Sequence, residues 1–290
     1  MATIIDGRKI SSDIKVEIKA EVDALKNKGK RAPHLAIIIV GDDGASHTYV
    51  GGKIKACAAV GFEYTLMQFA ESISEEKLLK HVHNMNTDED IDGFIVQLPL
   101  PAHISVDRVT ESISSEKDVD GFANENFGSI TSNYPLLMPA TPLGVMELLK
   151  RYEIETEGKN CVIVGASRLV GAPLALMLSK EGNATVTLCN KHTENLASHT
   201  KQADILVSAV GLPGLITKDM VKEGAVVIDV GTTRVKDDTK KTGFKLSGDV
   251  VYDDVAPLAS FITPVPGGVG PMTIASLMIN TLRAAQKNLL

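Results

Sequence analysis

Two side chains in the stretch GASHTYVGGKIKAC, residues 44 to 57, could take part in acid–base chemistry. Tyr49 and Lys53 are four residues apart, so a helix here would place both on one face. A lysine on a helix is usually solvated, and that alternative stays open. Two features favour a reactive lysine. The helix follows a buried strand, at the sheet edge where α/β proteins bind ligands, and Gly51 and Gly52 leave the neighbouring backbone open to close contact.

Two other segments could bring side chains to the same place. GFIVQLPLP is a buried strand that runs into a proline-rich loop, so we expect Gln97 at the same sheet edge, within reach of Lys53. KDVDGF contains Asp118 and Asp120 in a predicted turn, where aspartates commonly serve turn geometry. The first half of the chain is therefore where the chemistry is expected.

The second half contains a candidate nucleotide site in VIVGASRLVGAP, residues 162 to 173. Gly165 allows a tight turn after the strand, and Gly171 lets the following helix pack against that strand. The N–H groups at the start of the helix can hold a pyrophosphate. Ser167 replaces the usual middle glycine, so a strand–helix turn without a ligand stays open as an alternative, although the later strand AVVIDVG favours the nucleotide site.

The end of the next strand, LCNKHT, bears on the choice of cofactor. Sites selective for NAD usually carry Asp or Glu here, to bind the ribose hydroxyls. This chain has Asn190, Lys191 and His192 instead, and Arg168 lies in the glycine turn. Positive groups at both places suit a 2′-phosphate, so NADP is favoured over NAD, with a merely solvated Lys191 as the alternative.

Alternating strands and helices indicate an α/β fold with mostly parallel sheets. The predicted strands are LAIIIVG, FEYTLMQF, GFIVQLPLP, 161–165, 184–189, ADILVSAVG and AVVIDVG. The predicted helices are 8–28, 46–60, SISEEKLLKHVHNMN, TPLGVMELLKRY, 171–181 and PMTIASLMINTLRAAQKNLL. We expect Ser74 and Thr141 to cap two of these helices, a domain junction within 121–142, and an exposed hairpin or loop over KDDTKKTGFKLSG.

Composition excludes several classes of protein. A chain of 290 residues, 44% hydrophobic and 23% charged, suggests one large or two ordinary globular domains. A net charge of −6 disfavours a nucleic-acid or membrane-surface partner, and no apolar run is long enough for a membrane span. Three cysteines without CxxC spacing argue against a disulfide framework or a cysteine zinc site, and no metal site is expected. The N-terminus is not typical of a signal peptide, so we expect a cytoplasmic protein.

Taken together, the motifs resemble those of the bifunctional methylenetetrahydrofolate dehydrogenase/cyclohydrolase family. They stand in the family's order across nearly the whole chain, and PGGVGPMT and QLPLP are long and unusual. The motifs are YVGGKIKAC, DGFIVQLPLP, KDVDGF, GASRLVGAP, VIDVG and TPVPGGVGPMT. The chain departs from the family pattern at PATP, where Ala140 replaces a common cysteine, and at Asn190-Lys191, where the family often has His-Ser. The second departure bears on cofactor preference.

The resemblance implies two α/β domains with an active-site cleft between them, the second being a Rossmann-type NAD(P)-binding domain. It implies a folate-binding catalytic domain over 1–140 plus 272–290 and an NADP-binding domain over 141–271. It also implies oxidation of 5,10-methylenetetrahydrofolate to 5,10-methenyltetrahydrofolate with NADP, NAD being possible, followed by hydrolysis to 10-formyltetrahydrofolate. The family further suggests a homodimer.

The resemblance also implies roles for the candidate residues. Lys53 handles the protons of the hydrolysis, with its pKa lowered by burial and by the cationic intermediate. Gln97 orients Lys53 or water, Tyr49 offers a ring to the pterin, and Asp120 accepts hydrogen bonds from the pterin's amino edge. The implied folate-binding residues are Tyr49, Gln97, Leu98, Pro99, Asp120, Pro266, Gly267 and Gly268. The implied cofactor-binding residues are Gly165, Ala166, Ser167, Arg168, Lys191 and Thr232.

Two alternatives to the bifunctional enzyme stay open at the level of sequence. One is a dehydrogenase without hydrolysis, against which the presence of Tyr49, Lys53 and Gln97 argues. The other is a nucleotide-binding sensor or interaction domain without catalysis, which would need no set of Lys53, Gln97 and Asp120.

Overall fold

The computed structural model describes residues 2–132, 137–240 and 243–289, in which the chain forms two compact units. The unit that we call the 12–140 unit consists of Ser12–Ala140 and the chain from Ile274 onward. The 141–273 unit consists of Thr141–Thr273 and the N-terminal residues through Ser11.

The elements follow the alternation that the sequence predicts. The helices are α1 (Gly7–Asn27), α2 (Gly44–Val60), α3 (Glu75–Thr87), α4 (Val106–Glu111), α5 (Asn124–Ser129), α6 (Ala140–Arg151), α7 (Gly171–Lys180), α8 (Leu196–Thr200), α9 (Tyr252–Val255) and α10 (Val269–Leu289). The strands are β1 (Thr3–Ile4), β2 (His34–Val40), β3 (Glu63–Phe69), β4 (Gly93–Val96), β5 (Asn160–Val164), β6 (Thr185–Cys189), β7 (Ile205–Ser208), β8 (Val226–Asp229), β9 (Thr233–Lys236), β10 (Phe244–Ser247) and β11 (Phe261–Ile262).

The 12–140 unit contains a parallel sheet in the order β3-β2-β4. Six of the seven residues of β2 are buried, which explains its continuous apolar run. Because α2 follows β2 directly, it begins at the carboxyl edge of this sheet. Asp43 is its N-cap: the Asp43 carboxylate accepts a hydrogen bond from the Ser46 N–H at 2.7 Å. Ser74 caps α3 as predicted, accepting from the Lys77 N–H at 3.4 Å.

The 141–273 unit contains a parallel sheet in the order β1-β11-β8-β7-β5-β6. The register places Val164, Ser208 and Asp229 side by side, so that β5, β7 and β8 end at the same edge. From β5 the chain continues to β6 on one side and then to β7 on the other. The carboxyl ends of β5 and β7 therefore form the topological switch point at which α/β sheets bind ligands.

The compact units differ from the predicted domain bounds at the N-terminus. The sequence predicts 1–140 in one domain, but the residues through Ser11 group with the 141–273 unit. The physical reason is β1, in which Thr3 pairs with Phe261 of β11, and the Asp6 N–H, which donates to the Tyr152 hydroxyl at 2.7 Å. From Ile274 onward, α10 groups with the 12–140 unit.

Of two smaller predictions, the structure contradicts the first and agrees with the second. Thr141 was a wrong choice of helix cap, since α6 begins at Ala140 and the Thr141 hydroxyl instead forms a hydrogen bond with the Thr273 hydroxyl at 3.0 Å. The polar segment after β8 is a hairpin, in which β9 and β10 pair antiparallel; its residues 241 and 242 lie outside the described part. Among the described residues, no helix is long and apolar enough to cross a membrane.

Candidate functional site

Lys53 of α2 is buried and contacts the predicted partner at the end of β4. Its side chain is only 6% exposed, and Nζ donates a hydrogen bond to Gln97 Oε1 at 3.1 Å. Gln97 Nε2 donates in turn to the Leu98 carbonyl oxygen at 2.7 Å, which fixes the orientation of the amide. The predicted reach of Gln97 to Lys53 is therefore present, and the alternative of a solvated lysine is wrong.

The surroundings of Lys53 favour its neutral form. Burial lowers the pKa of the ammonium group because a charge is poorly solvated in the interior, and the negative charge of Asp120 opposes this with a smaller effect. A lysine with a lowered pKa is more readily present as the neutral amine. The neutral amine can accept a proton, whereas an ammonium group cannot. This combination fits a general base better than it fits a structural ion pair.

Asp118 forms the turn that presents Asp120. The buried Asp118 carboxylate accepts hydrogen bonds from the Gly121 N–H at 3.1 Å, the Ala123 N–H at 2.6 Å and Asn126 Nδ2 at 3.0 Å. Burial raises the pKa of Asp118 to about 6 in spite of these donors. The predicted turn role of Asp118 is thus confirmed, while Asp120 is left half-buried at the end of the turn.

The paired glycines of α2 have different surroundings. A Cβ at Gly52 would lie 3.2 Å from Cδ1 of Ile274 in α10, whereas a Cβ at Gly51 would meet no described atom within 4 Å. Gly52 therefore makes room for a neighbouring helix. Gly51 instead faces open space among the described residues. Tyr49, one turn before Lys53 in α2, is 44% exposed.

The other predicted folate-binding residues lie in two loops. Leu98 is half-buried and Pro99 exposed directly after Gln97, and the Leu98–Pro99 peptide bond is cis. In the 141–273 unit, Pro266 is exposed, while Gly267 and Gly268 are buried.

Backbone geometry and contacts within the 141–273 unit explain why residues 267 and 268 are glycines. Gly267 has a φ of 116° and its carbonyl oxygen accepts from the Arg8 N–H at 3.1 Å. A Cβ at Gly268 would lie 2.7 Å from the Pro264 carbonyl oxygen. Their contact with folate stays a prediction.

The predicted nucleotide site begins at the carboxyl end of β5. Gly165 has a φ of 112°, and a side chain there would collide with the Ala209 carbonyl oxygen. Gly171 is the first residue of α7 and packs against Gly165; a Cβ at Gly171 would collide with the Gly165 carbonyl oxygen. Ala166 and Ser167 are exposed between them, and Arg168 follows. The turn therefore leaves backbone accessible at the switch point, as a pyrophosphate requires.

Two loops beside this turn expose the remaining predicted cofactor residues. After β6, Asn190 forms a turn in which its Oδ1 accepts from the His192 N–H at 2.9 Å, leaving Lys191 exposed between them. After β8, Thr232 is exposed next to the buried Gly231. Because β5, β6 and β8 belong to one parallel sheet, these groups lie along one sheet edge.

A pair of buried aspartates, absent from the predicted site, supports this edge. Asp229, at the end of β8, accepts from the N–H groups of Gly231 at 2.9 Å, Asp249 at 3.0 Å and Val250 at 2.9 Å. Burial raises its pKa to about 6. Asp249 accepts from the Ser208 hydroxyl at 2.9 Å and the Val210 N–H at 2.8 Å. An aspartate directly after an apolar run, as in VIDVG, was the signal available in the sequence.

No group of three or more His, Cys, Asp or Glu side chains in the described part of the chain could hold a metal ion.

Comparison with known proteins identifies two family domains in the chain. The family model described as the catalytic domain of tetrahydrofolate dehydrogenase/cyclohydrolase matches residues 5–120. The model described as the NAD(P)-binding domain of the same family matches residues 139–289. Together the two matches cover most of the chain.

Curated relatives match over nearly their whole length. The bifunctional protein FolD of Cytophaga hutchinsonii is 55% identical over 285 residues, covering 97% of this chain and 98% of the relative. The protein of the same name from Bacteroides thetaiotaomicron is 55% identical over 288 residues, covering 98% of each chain.

Solved structures also match over nearly their whole length. The bifunctional methylenetetrahydrofolate dehydrogenase/cyclohydrolase FolD of Campylobacter jejuni has a TM-score of 0.93 at 46% identity, covering 100% of both chains. FolD of Trypanosoma brucei, solved with NADP and an inhibitor, has a TM-score of 0.95 at 39% identity, covering 99% of this chain and 98% of the other.

Proposed function

Because the chain belongs to the tetrahydrofolate dehydrogenase/cyclohydrolase family, we propose how its own residues carry out the two reactions. The protein oxidises 5,10-methylenetetrahydrofolate to 5,10-methenyltetrahydrofolate with NADP and hydrolyses the product to 10-formyltetrahydrofolate. The assignment of roles rests on the buried Lys53. Its amine is hydrogen-bonded to Gln97, and the charge of Asp120 affects its pKa.

In the hydrolysis, Lys53 is the general base. Its neutral amine takes a proton from a water molecule as the water oxygen attacks the methenyl carbon, and Gln97 holds the amine in place. The bond from that carbon to N5 then breaks, and N5 takes up a proton from Lys53. Water loses two protons in all; one ends on N5 and the other leaves to solvent. A lowered pKa lets one amine both accept and return a proton more readily than an ordinary lysine.

Tyr49 and Asp120 bind the folate. The exposed ring of Tyr49 offers a face for the pterin, and its position one turn before Lys53 in α2 would bring the reacting carbon near the amine. The half-buried carboxylate of Asp120 accepts hydrogen bonds from the amino edge of the pterin. Leu98, Pro99 and the loop from Pro266 to Gly268 complete the set of proposed folate contacts.

The edge of the sheet in the 141–273 unit suits NADP. A bound NADP would supply the hydride acceptor for oxidation of the methylene carbon. In the turn after β5, the exposed Ala166 and Ser167 offer their backbone to the pyrophosphate, while the Gly165 N–H already donates to the Cys189 carbonyl oxygen at 2.9 Å. Arg168 and the exposed Lys191 supply positive charge for the 2′-phosphate. The end of β6 lacks the acidic residue that an NAD-selective site usually carries, which supports NADP over NAD. Thr232 completes the proposed site.

We propose that the chain forms a homodimer through β3. This strand lies at the edge of the β3-β2-β4 sheet, and it exposes Tyr64 and Leu66, at 46% and 42%. An exposed edge strand with apolar side chains is a ready site for pairing with a second strand. Light scattering should give the mass of a dimer, and Leu66→Lys should shift it toward the monomer; a monomeric wild type contradicts this assignment.

We place the enzyme in the cytoplasm, on the ground that Cys57, Cys161 and Cys189 are all free and buried. Proteins of oxidising compartments more often pair their cysteines in disulfides. Fractionation of the cells that make the protein tests this placement.

The function is tested by turnover of methylenetetrahydrofolate with NADP and, separately, with NAD. Reduced cofactor and the methenyl compound are followed at their own wavelengths. Reduced NADP without accumulation of the methenyl compound supports both activities. Accumulation of the methenyl compound in step with reduced cofactor leaves the dehydrogenase alone. Absence of turnover with both cofactors would favour the nucleotide-binding sensor.

A further inference from the structure

Helix α10 contributes a buried amide that the proposed chemistry does not use. Asn280 is fully buried, and its Nδ2 donates two hydrogen bonds, to the Val119 carbonyl oxygen at 2.9 Å and to the Met138 carbonyl oxygen at 2.6 Å. These acceptors are 161 and 142 residues away in the sequence. One side chain thus ties together two distant segments of the 12–140 unit.

Both segments support Asp120. Val119 directly precedes Asp120, and Met138 lies two residues before Ala140, whose N–H donates to the Asp120 carbonyl oxygen at 3.0 Å. Asp118 holds the same turn from within, through its bonds to the following N–H groups. Asn280 therefore holds the residue before Asp120, while Asp118 holds residues that follow it.

The amide of Asn280 combines two donor bonds with one oxygen that is unpaired within the described part of the chain. Asn280 Oδ1 is buried and has no hydrogen-bond partner among the residues that the structure describes. An unpaired buried oxygen is unfavourable; an apolar residue of similar size would avoid it, but would take the donors away from the Val119 and Met138 carbonyl oxygens. The two donor bonds, directed at two carbonyl oxygens, are the property that a leucine could not supply.

The same helix also contacts the element that carries Lys53. Ile274 of α10 packs against α2 at Gly52, the residue before Lys53. One continuous helix thus meets α2 through Ile274 and the Asp120 turn through Asn280. Helix α10 is therefore in contact both with the helix that carries Lys53 and with the turn that carries Asp120.

We infer that Asn280 is a positioning residue for Asp120, which it holds where the carboxylate can bind the pterin and act on Lys53. The inference rests on the proposed role of Asp120 in folate binding. It predicts that loss of the two donor bonds weakens folate binding selectively, because the nucleotide site of the 141–273 unit uses none of these contacts.

The test compares Asn280→Ser with Ser276→Ala, a matched control. Ser276 lies one turn earlier in α10, is equally buried, and its hydroxyl has no partner in the described part of the chain. Asn280→Ser should raise the KM for methylenetetrahydrofolate roughly tenfold, as expected for loss of a hydrogen bond to a substrate-binding element. The KM for NADP and all parameters of Ser276→Ala should stay within about twofold of wild type. Circular dichroism and thermal melting establish that each variant is folded at the assay temperature.

A double-mutant cycle with Asp120→Ala separates positioning from general damage. If Asn280 acts through Asp120, Asn280→Ser should have little further effect on the folate KM in the Asp120→Ala background. Additive effects, or equal increases in KM for folate and NADP, would overturn the inference. So would an unchanged folate KM in Asn280→Ser when Asp120→Ala raises it. An unchanged folate KM in Asp120→Ala would reject the role of Asp120 and the inference with it, and an inactive wild type would reject the function itself.

Discussion

The paired glycines of α2 should respond differently to replacement by alanine, as measured by the free energy of unfolding. A glycine inside a helix costs about 1 kcal/mol relative to alanine. A Cβ at Gly51 would enter open space among the described residues, so Gly51→Ala should raise the free energy of unfolding by about 1 kcal/mol. A Cβ at Gly52 would lie 3.2 Å from Ile274 Cδ1, inside the preferred carbon–carbon separation of roughly 3.5–4.0 Å. The contact should cancel most of the gain for Gly52→Ala.

A larger side chain at Gly52 should reverse the sign. Gly52→Leu forces apart α2 and α10, and overpacking of this kind costs about 1–3 kcal/mol. It should also reduce turnover, because Gly52 precedes Lys53 and the strain displaces the amine from Gln97. Urea unfolding followed by circular dichroism gives the order Gly51→Ala, then wild type and Gly52→Ala, then Gly52→Leu. Equal stabilisation by the two alanine variants, or full turnover in Gly52→Leu, refutes the explanation of the glycine pair.

Three further predictions follow from charges in the two units. The rate of methenyl hydrolysis should rise with pH through the pKa of Lys53. Asp120→Asn removes the charge that raises this pKa, so a pH–rate profile should show the acid limb at lower pH; an unshifted limb contradicts the coupling. Asp229 has its pKa raised from 3.8 to about 6 by burial, so folding favours its protonated form. The contribution of Asp229 to the free energy of unfolding is fully present below pH 4. It falls by about 3 kcal/mol as the pH rises through 6. Urea titrations should show this slope for wild type and a flatter one for Asp229→Asn. Arg168→Gln and Lys191→Gln should each raise the KM for NADP by about tenfold while leaving the KM for NAD unchanged; equal effects on both cofactors would remove these residues from the 2′-phosphate site.

The longer strands and helices, and the contact between Lys53 and Gln97, could be predicted from the sequence, whereas short elements such as α4, α5, α8 and α9 were not. The run LAIIIV predicts a strand because a parallel strand is buried on both faces, and Ser74 caps α3 because its hydroxyl can accept from the first turn. The carboxyl ends of neighbouring parallel strands meet at one edge, which is why Gln97 lies near α2. Periodicity and topology were sufficient here.

The contacts that depend on distant segments could not be predicted in this way. The pairing of β1 with β11 and the bonds from Asn280 join residues far apart in the chain. A two-residue strand such as β1 has no periodicity of its own. Asn280 stands within an amphipathic helix, where nothing in the local pattern indicates which acceptors its amide will meet. Gly52 was predicted to make room, but only the structure identifies Ile274 as its neighbour.

The central claim is that the buried amine of Lys53 is the base for hydrolysis, and one measurement tests it most directly. Lys53→Met is mixed with methenyltetrahydrofolate in a single-turnover experiment, beside Lys55→Met, which changes an exposed lysine of the same helix. Loss of a general base should slow hydrolysis by at least about 10²-fold in Lys53→Met, while NADP binding and the folded state are retained and Lys55→Met behaves as wild type. Hydrolysis at the wild-type rate in folded, NADP-binding Lys53→Met would contradict the account.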